Sequence, residues 1–308
     1  MNMRTSTTLH DEHMHLRPHG VSPLPPHRLA PMLDAARAKG VVPGIREHAP
    51  LPARYRLGPD GDYLFCMRAE EVGPFFTELE GQGVPVGFEI DHLDGYEAET
   101  RAIVEDLIAE ARTRGIPIGG LTGSVHFIPG RVDDLRPGID KGGVPHILCD
   151  YLESVMKAHL ADHGPERTIS DYFGAVRALI RTGFYDVVGH LELIRKWDRR
   201  VDGKSTLFGH AEELYAAELE TTIALAAEAD IILEYNTSGR DIVIGRPYLS
   251  DDAVRACVRR GVKIALSSDA HSPKAVGRYF GEAVETLRGL GVRTLFAVRD
   301  RARVAIAL

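Results

Sequence analysis

Cysteine is scarce in this chain: Cys66, Cys149 and Cys257 are the only three. They lie far apart, are odd in number and form no C-x-x-C. That excludes a disulfide-stapled scaffold and a Cys-rich structural zinc site, and it fits reduced thiols. No apolar run reaches the roughly 18 residues of a membrane-spanning helix. The most apolar stretch, IALAAEADIIL (223–233), is interrupted by Glu228 and Asp230. The first residues, MNMRTSTTLHDEH, lack the apolar centre of a secretory signal, so a cytoplasmic protein is expected. Positive charge is also in deficit. With 37 Lys and Arg against 44 Asp and Glu, the net charge is −7, a poor basis for gripping nucleic acid.

What the chain does have is alternation. Amphipathic segments with apolar residues three and four apart predict helices over 27–39, 69–82, 97–114, 146–163, 168–182, 209–228, 251–260 and 279–289. Several end on glycine, at Gly40, Gly83, Gly115 and Gly261. Short, almost continuously apolar runs predict strands over 41–45, 84–90, 116–128, 186–191, 231–236 and 262–268, the pattern of parallel strands buried on both faces. Strand-helix alternation without linker, repeat or charge block predicts one α/β domain over 1–308, a single barrel rather than two units. The Gly/Pro-rich segment 129–146 reads as a long loop, and the tail beyond 290 carries no motif.

Histidine is the abundant residue, 14 against 10 Phe and 10 Tyr, and its placement is informative. In DEHMH, His13 and His15 are two apart, so on a strand they share a face and can hold one metal ion, while Met14 points the other way. SSDAH repeats that logic with Asp269 and His271 at the end of the last strong strand. Predicted strands tend to finish in a potential ligand: Glu47 and His48, Glu89 and Asp91, His126, His190. In α/β barrels the C-terminal strand ends carry the functional residues. Imidazole with carboxylate suits Zn, Mn or Fe. His10, His27, His92, His146, His159, His163 and His210 fall in predicted helices, loops or motif flanks and read as ordinary polar residues.

The segments DEHMHLRPHG (11–20), GIREHAPLP (44–52), GFEID (87–91), GSVHFI (123–128), DVVGHLELIRKW (186–197), EYNTSG (234–239) and SSDAHSP (267–273) occur in the order seen in the polymerase-and-histidinol-phosphatase superfamily, and the chain resembles its histidinol-phosphate phosphatase branch. The resemblance implies a distorted (β/α)7 TIM-like barrel with the metal site at the C-terminal ends of its strands. It implies two to three divalent ions held by His13, His15, His19, His48, Glu89, His126, His190, Asp269 and His271, with Glu89 bridging two of them. His19 follows His15 more closely than the branch pattern has it, and Glu192 stands where a shorter acid is common. The implied reaction is hydrolysis of L-histidinol phosphate to L-histidinol and phosphate, a stage of histidine synthesis. Glu89, His190, Asp269 and Arg195 are the expected catalytic residues.

A phosphate dianion needs cations besides the metals. Arg195, five residues after His190, is the first expected substrate-binding residue and Arg240 the second, with Arg46 behind them; Lys196 is expected to point elsewhere. The expected partner is a small phosphomonoester, with no nucleic acid and no membrane. Two other readings stand beside this one. One is a phosphoesterase of the same kind acting on another small phosphate or a nucleic-acid end. The other is a non-catalytic metal-binding protein on the same scaffold.

Overall fold

The computed structural model describes residues 8–17, 28–55, 66–129, 146–150 and 152–308. The strands are β1 Leu9–Met14, β2 Val41–His48, β3 Val86–Asp91, β4 Ile118–Ser124, β5 Phe127–Pro129, β6 His146–Leu148, β7 Val187–Val188, β8 Arg200–Val201, β9 Lys204–Ser205, β10 Ile232–Asn236, β11 Ile264–Ser267, β12 Thr294–Arg299 and β13 Ala302–Ala307. The helices are α1 Leu29–Lys39, α2 Ala69–Leu79, α3 Glu97–Thr113, α4 Glu153–His163, α5 Pro165–Arg181, α6 Glu212–Glu228, α7 Asp251–Arg260 and α8 Phe280–Gly289.

Seven parallel strands pair in the order β1-β2-β3-β4-β7-β10-β11. The sheet curls until its edges meet: His15 N donates to Ala270 O at 2.8 Å and Ala270 N to His13 O at 3.1 Å. The expected seven-stranded TIM-like barrel is therefore the observed fold. The helices form because one stripe of each is apolar. α5 buries Ile169, Tyr172, Phe173, Val176, Leu179 and Ile180, spaced three and four apart. α7 starts with Ser250 Oγ accepting from Ala253 N and stops at Gly261, whose φ of 71° costs a glycine little.

Several elements differ from the sequence reading: β1 lies outside the predicted apolar runs, and the expected strand 116–128 breaks into β4 and β5. The predicted helix over 146–163 begins instead as a strand: β6 pairs with β5, and helix α4 starts only at Glu153. The ends of the long loop thus form a ladder, while its interior lies outside the described residues. The unassigned tail is a hairpin, β12–β13, joined through Asp300 and Arg301 at φ 46° and 62°. Its two-residue turn lacks the Asn-Gly or Asp-Gly that marks such hairpins in a sequence.

The hairpin lies across the N-terminal ends of the barrel strands. Asp300 N donates to Ile118 O at 2.7 Å, Arg301 Nε to Asp186 at 2.5 Å and Val298 N to Glu12 at 2.8 Å. Inside the barrel the buried Arg46 guanidinium reaches Glu12 at 3.1 Å. Gly119 gives it room, because a Cβ there would lie 2.4 Å from Arg46 Nη1. Arg46 is thus an interior residue, paired with Glu12 and absent from the residues lining the cleft described next.

Candidate metal centre

At the opposite end, the strand termini bring a ring of imidazoles around one buried carboxylate. Glu89 stands near the end of β3. Its Oε2 lies 3.3 Å from His13, 3.5 Å from His15 and 3.1 Å from His48. Its Oε1 lies 2.8 Å from His190 and 3.5 Å from His126, and accepts from Ser124 Oγ at 2.6 Å. Three overlapping groups place their donor atoms within 4.8 Å of one another: His15, His48 and His271; His13, His15 and Glu89; Glu89, His126 and His190. Asp269 Oδ1 closes the ring at 3.3 Å from His15 and 3.6 Å from His271. The structure brings together every residue expected at the centre from the sequence except His19, which lies outside the described residues.

Charge inside this ring is tightly coupled. Burial alone would raise the Glu89 carboxyl, but His48, His13 and His126 hold it well below the usual carboxylate range. Burial likewise acts against Asp269, which His13, His15 and His271 hold well below its ordinary value. Burial opposes the charged imidazoles, yet Asp269 and Glu47 push His15 up to about 9, and Asp91 and Glu89 push His126 up to about 10. Two ring members, His190 and Asp269, adopt positive φ of 22° and 50°. Backbone held in that region by non-glycine residues is a frequent mark of working sites.

The donor set fits divalent cations. Nε2 of His13 and of His15 are buried and make no hydrogen bond among the described residues, although both sit at the carboxylate cluster. Their other nitrogens face carboxylates: His13 Nδ1 donates to Glu234 at 2.5 Å, and His15 Nδ1 lies 3.4 Å from Glu47. His126 Nδ1 donates to Asp91 at 2.7 Å. A carboxylate behind a ligating imidazole fixes its tautomer and aim, the usual support of a metal site. Glu234, inside the EYNTSG segment, received no role from the sequence. Its signal was the alternation of β10, which turns Glu234 and Asn236 to the same side.

A cleft of about 200 Å³ opens over the ring, lined by Asp150, Lys196, Asp241, Tyr248 and Arg278 among others. The structure does not bring Arg195 to it. The Arg195 guanidinium turns into the protein, bonding Asp198 at 2.6 Å and Glu212 at 3.0 Å and stacking 3.6 Å over Tyr215. Lys196, the neighbour expected to point away, lines the cleft instead and bonds Asp150 at 3.0 Å. The two part company at the 3-10 turn Leu193–Arg195, where three residues per turn set adjacent side chains about 120° apart. Arg240 does not line the cleft; it pairs with Glu282 at 2.7 Å and covers the Tyr279 ring. Arg278 does line it, tied to the carbonyls of Ser268 and Asp269 and to Asp241. Glu192 is buried behind the site, accepting from Arg246, Ser250 N and Tyr215.

No protein-family model matches the chain. Among curated proteins, a probable histidinol-phosphatase from Deinococcus radiodurans is 26% identical over 289 residues, covering 94% of this chain and 96% of that one. Among solved structures, a provisionally named histidinol phosphatase from Listeria monocytogenes superposes with TM-score 0.69 at 20% identity, over 89% of this chain and 99% of that chain. The histidinol phosphate phosphatase from Lactococcus lactis, solved with zinc, L-histidinol and phosphate, gives TM-score 0.65 at 18% identity, over 97% and 100%. The two structures speak for the fold. The curated relative, matched over nearly its whole length, bears out the resemblance carried by the motifs.

Proposed function

We propose that this chain, similar along nearly its whole length to histidinol-phosphate phosphatases, is a metal-dependent phosphatase that hydrolyses L-histidinol phosphate to L-histidinol and phosphate. The observation that carries the reading is Glu89, a buried carboxylate whose two oxygens face five histidines at the C-terminal mouth of a parallel barrel. His13, His15, His48, Glu89, His126, His190, Asp269 and His271 would hold two to three divalent ions, with zinc, manganese and iron all suited to such donors. When bound, these ions supply an activated water and neutralise charge on the phosphoryl group.

The chain's own residues do the rest. Glu89 spans two of the ligand groups and keeps them at one spacing. Glu234, Asp91 and Glu47 set the aim of His13, His126 and His15. Lys196 takes the place expected of Arg195: its ammonium has one hydrogen bond among the described residues, to Asp150, and retains donors for a phosphate oxygen. Asp150 remains ionised despite burial, because Lys196, His126 and His190 stabilise its charge, so it holds Lys196 at the cleft wall. A cleft of about 200 Å³ suits a small phosphomonoester rather than a nucleic-acid strand, in keeping with the net charge of −7. Such a role belongs in the cytoplasm, where Cys66, Cys149 and Cys257 stay reduced.

The test is phosphate release from L-histidinol phosphate by purified protein supplied with Mn²⁺ or Zn²⁺, repeated after chelation. Rapid release that stops with the chelator is the expected result. Metal-loaded protein that ignores this substrate but cleaves another phosphomonoester would overturn the substrate assignment and keep the hydrolase.

A further inference from the structure

Asn236 ends β10 in the middle of the ring, fully buried and touching two carboxylates at once. Its Nδ2 donates to Glu234 Oε2 at 3.1 Å and to Asp269 Oδ2 at 3.2 Å. Its Oδ1 accepts from Ser238 N at 2.9 Å, which fixes the amide with its nitrogen toward the acids. Each carboxylate it joins has a second duty. Glu234 Oε1 receives His13 Nδ1, and Glu234 Oε2 also accepts from His190 N at 2.9 Å, at the residue with φ of 22°. Asp269 presents its other oxygen, Oδ1, to His15 and His271. One neutral side chain therefore connects His13, the His190 backbone and the Asp269 ligand oxygen.

We propose that Asn236 is a positioning residue for the metal centre: its amide joins Glu234 to Asp269, directs Asp269 Oδ1 at the ligand position, and so couples the His13–His15 end of the centre to the His190 end. The physical need is plain. Two buried carboxylates facing one another repel unless a donor stands between them, and a neutral amide with two N–H groups satisfies one oxygen of each without adding charge. Asn236 touches no cleft-lining position assigned to substrate, so its effect runs through metal affinity. The inference rests on the metal reading of the site and is independent of which phosphate is cleaved.

The test is Asn236→Asp, which keeps the side-chain size and the acceptor for Ser238 N but replaces the donor with a third carboxylate. Chelated wild-type and variant protein are titrated with Mn²⁺ by calorimetry, with circular dichroism as the check on fold. The expected result is a roughly 10- to 100-fold weaker affinity for at least one metal equivalent, the usual size of an effect transmitted through a ligand's support. Activity lost at low Mn²⁺ should return at saturating Mn²⁺. Unchanged affinity in folded Asn236→Asp would overturn the proposal. If that variant does not fold, Asn236→Ala decides: it removes the amide donor to both carboxylates without adding charge, and a weaker metal affinity supports the coupling whereas an unchanged one overturns it. Wild-type protein that takes up no cation would instead overturn the metal reading itself.

Discussion

At the scale of single residues, Glu89 is the group whose loss reaches furthest. Replacing it with Gln keeps the shape and removes the charge that five imidazoles face. The expected outcome is a loss of metal affinity beyond the roughly 100-fold limit of supporting residues, with activity falling in parallel. Metal content after dialysis and phosphate release check it together. The imidazoles add a pH dependence. A ligating His must be neutral, whereas His15 and His126 in the metal-free protein hold their protons up to about 9 and about 10. Metal uptake at pH 7 should therefore expel protons, and affinity should rise with pH toward that range. Calorimetry in buffers of different ionisation enthalpy reads the proton count. The same raised values stabilise the metal-free fold fully below the unfolded value of about 6.5, and that support is lost as pH rises through about 9 to 10. The depressed Glu89 acts in the opposite sense, its support being present above the unfolded value and lost in acid. Chelated protein should thus melt at lower temperature at pH 10 than at pH 7.

At the scale of elements, the turn after β7 separates two adjacent cations. Lys196→Ala should raise KM for a phosphomonoester substantially and also lower the melting temperature, because Asp150 loses its cation. Arg195→Ala should leave KM nearly unchanged and act on stability alone, removing a buried partner of Asp198 and Glu212 at a cost of about 3 kcal/mol. Steady-state kinetics and thermal melts on both variants distinguish the roles. This pair also shows where sequence reasoning stops. Period and alternation revealed most helices and the barrel strands other than β1, because a strand buried on both faces or a helix with one apolar stripe leaves its pattern in the residues. The ring of imidazoles and carboxylates was legible for the same reason: most of its members sit where predicted strands end. The direction of Arg195 and Lys196 was not legible, since a three-residue 3-10 turn sets it and carries no periodic signal. Glu234 and Asn236 were overlooked because their importance lies in which histidine and which aspartate they touch, and those partners are distant in the chain.

At the scale of the whole molecule, the two ends of the barrel are specialised. The mouth holds the titratable ring, and the floor is closed by the β12–β13 hairpin, whose Leu295, Ala297 and Val298 are buried. Beneath His13 and Glu234 the barrel interior retains a void of only about 20 Å³, room for roughly one water. Leu295→Ala should cost about 3 kcal/mol of stability while leaving metal affinity unaltered, because it empties the floor and not the ring. A thermal melt paired with a metal titration checks both halves.

That shut floor also governs traffic. The cleft lies at the end of the barrel opposite the hairpin, so on the proposed reading product leaves on the side where the next molecule arrives. If Lys196 holds the phosphoryl group as proposed, product phosphate occupies the place of the next substrate until it leaves. Added inorganic phosphate should therefore act as a competitive inhibitor, and Lys196→Ala should weaken that inhibition along with substrate binding.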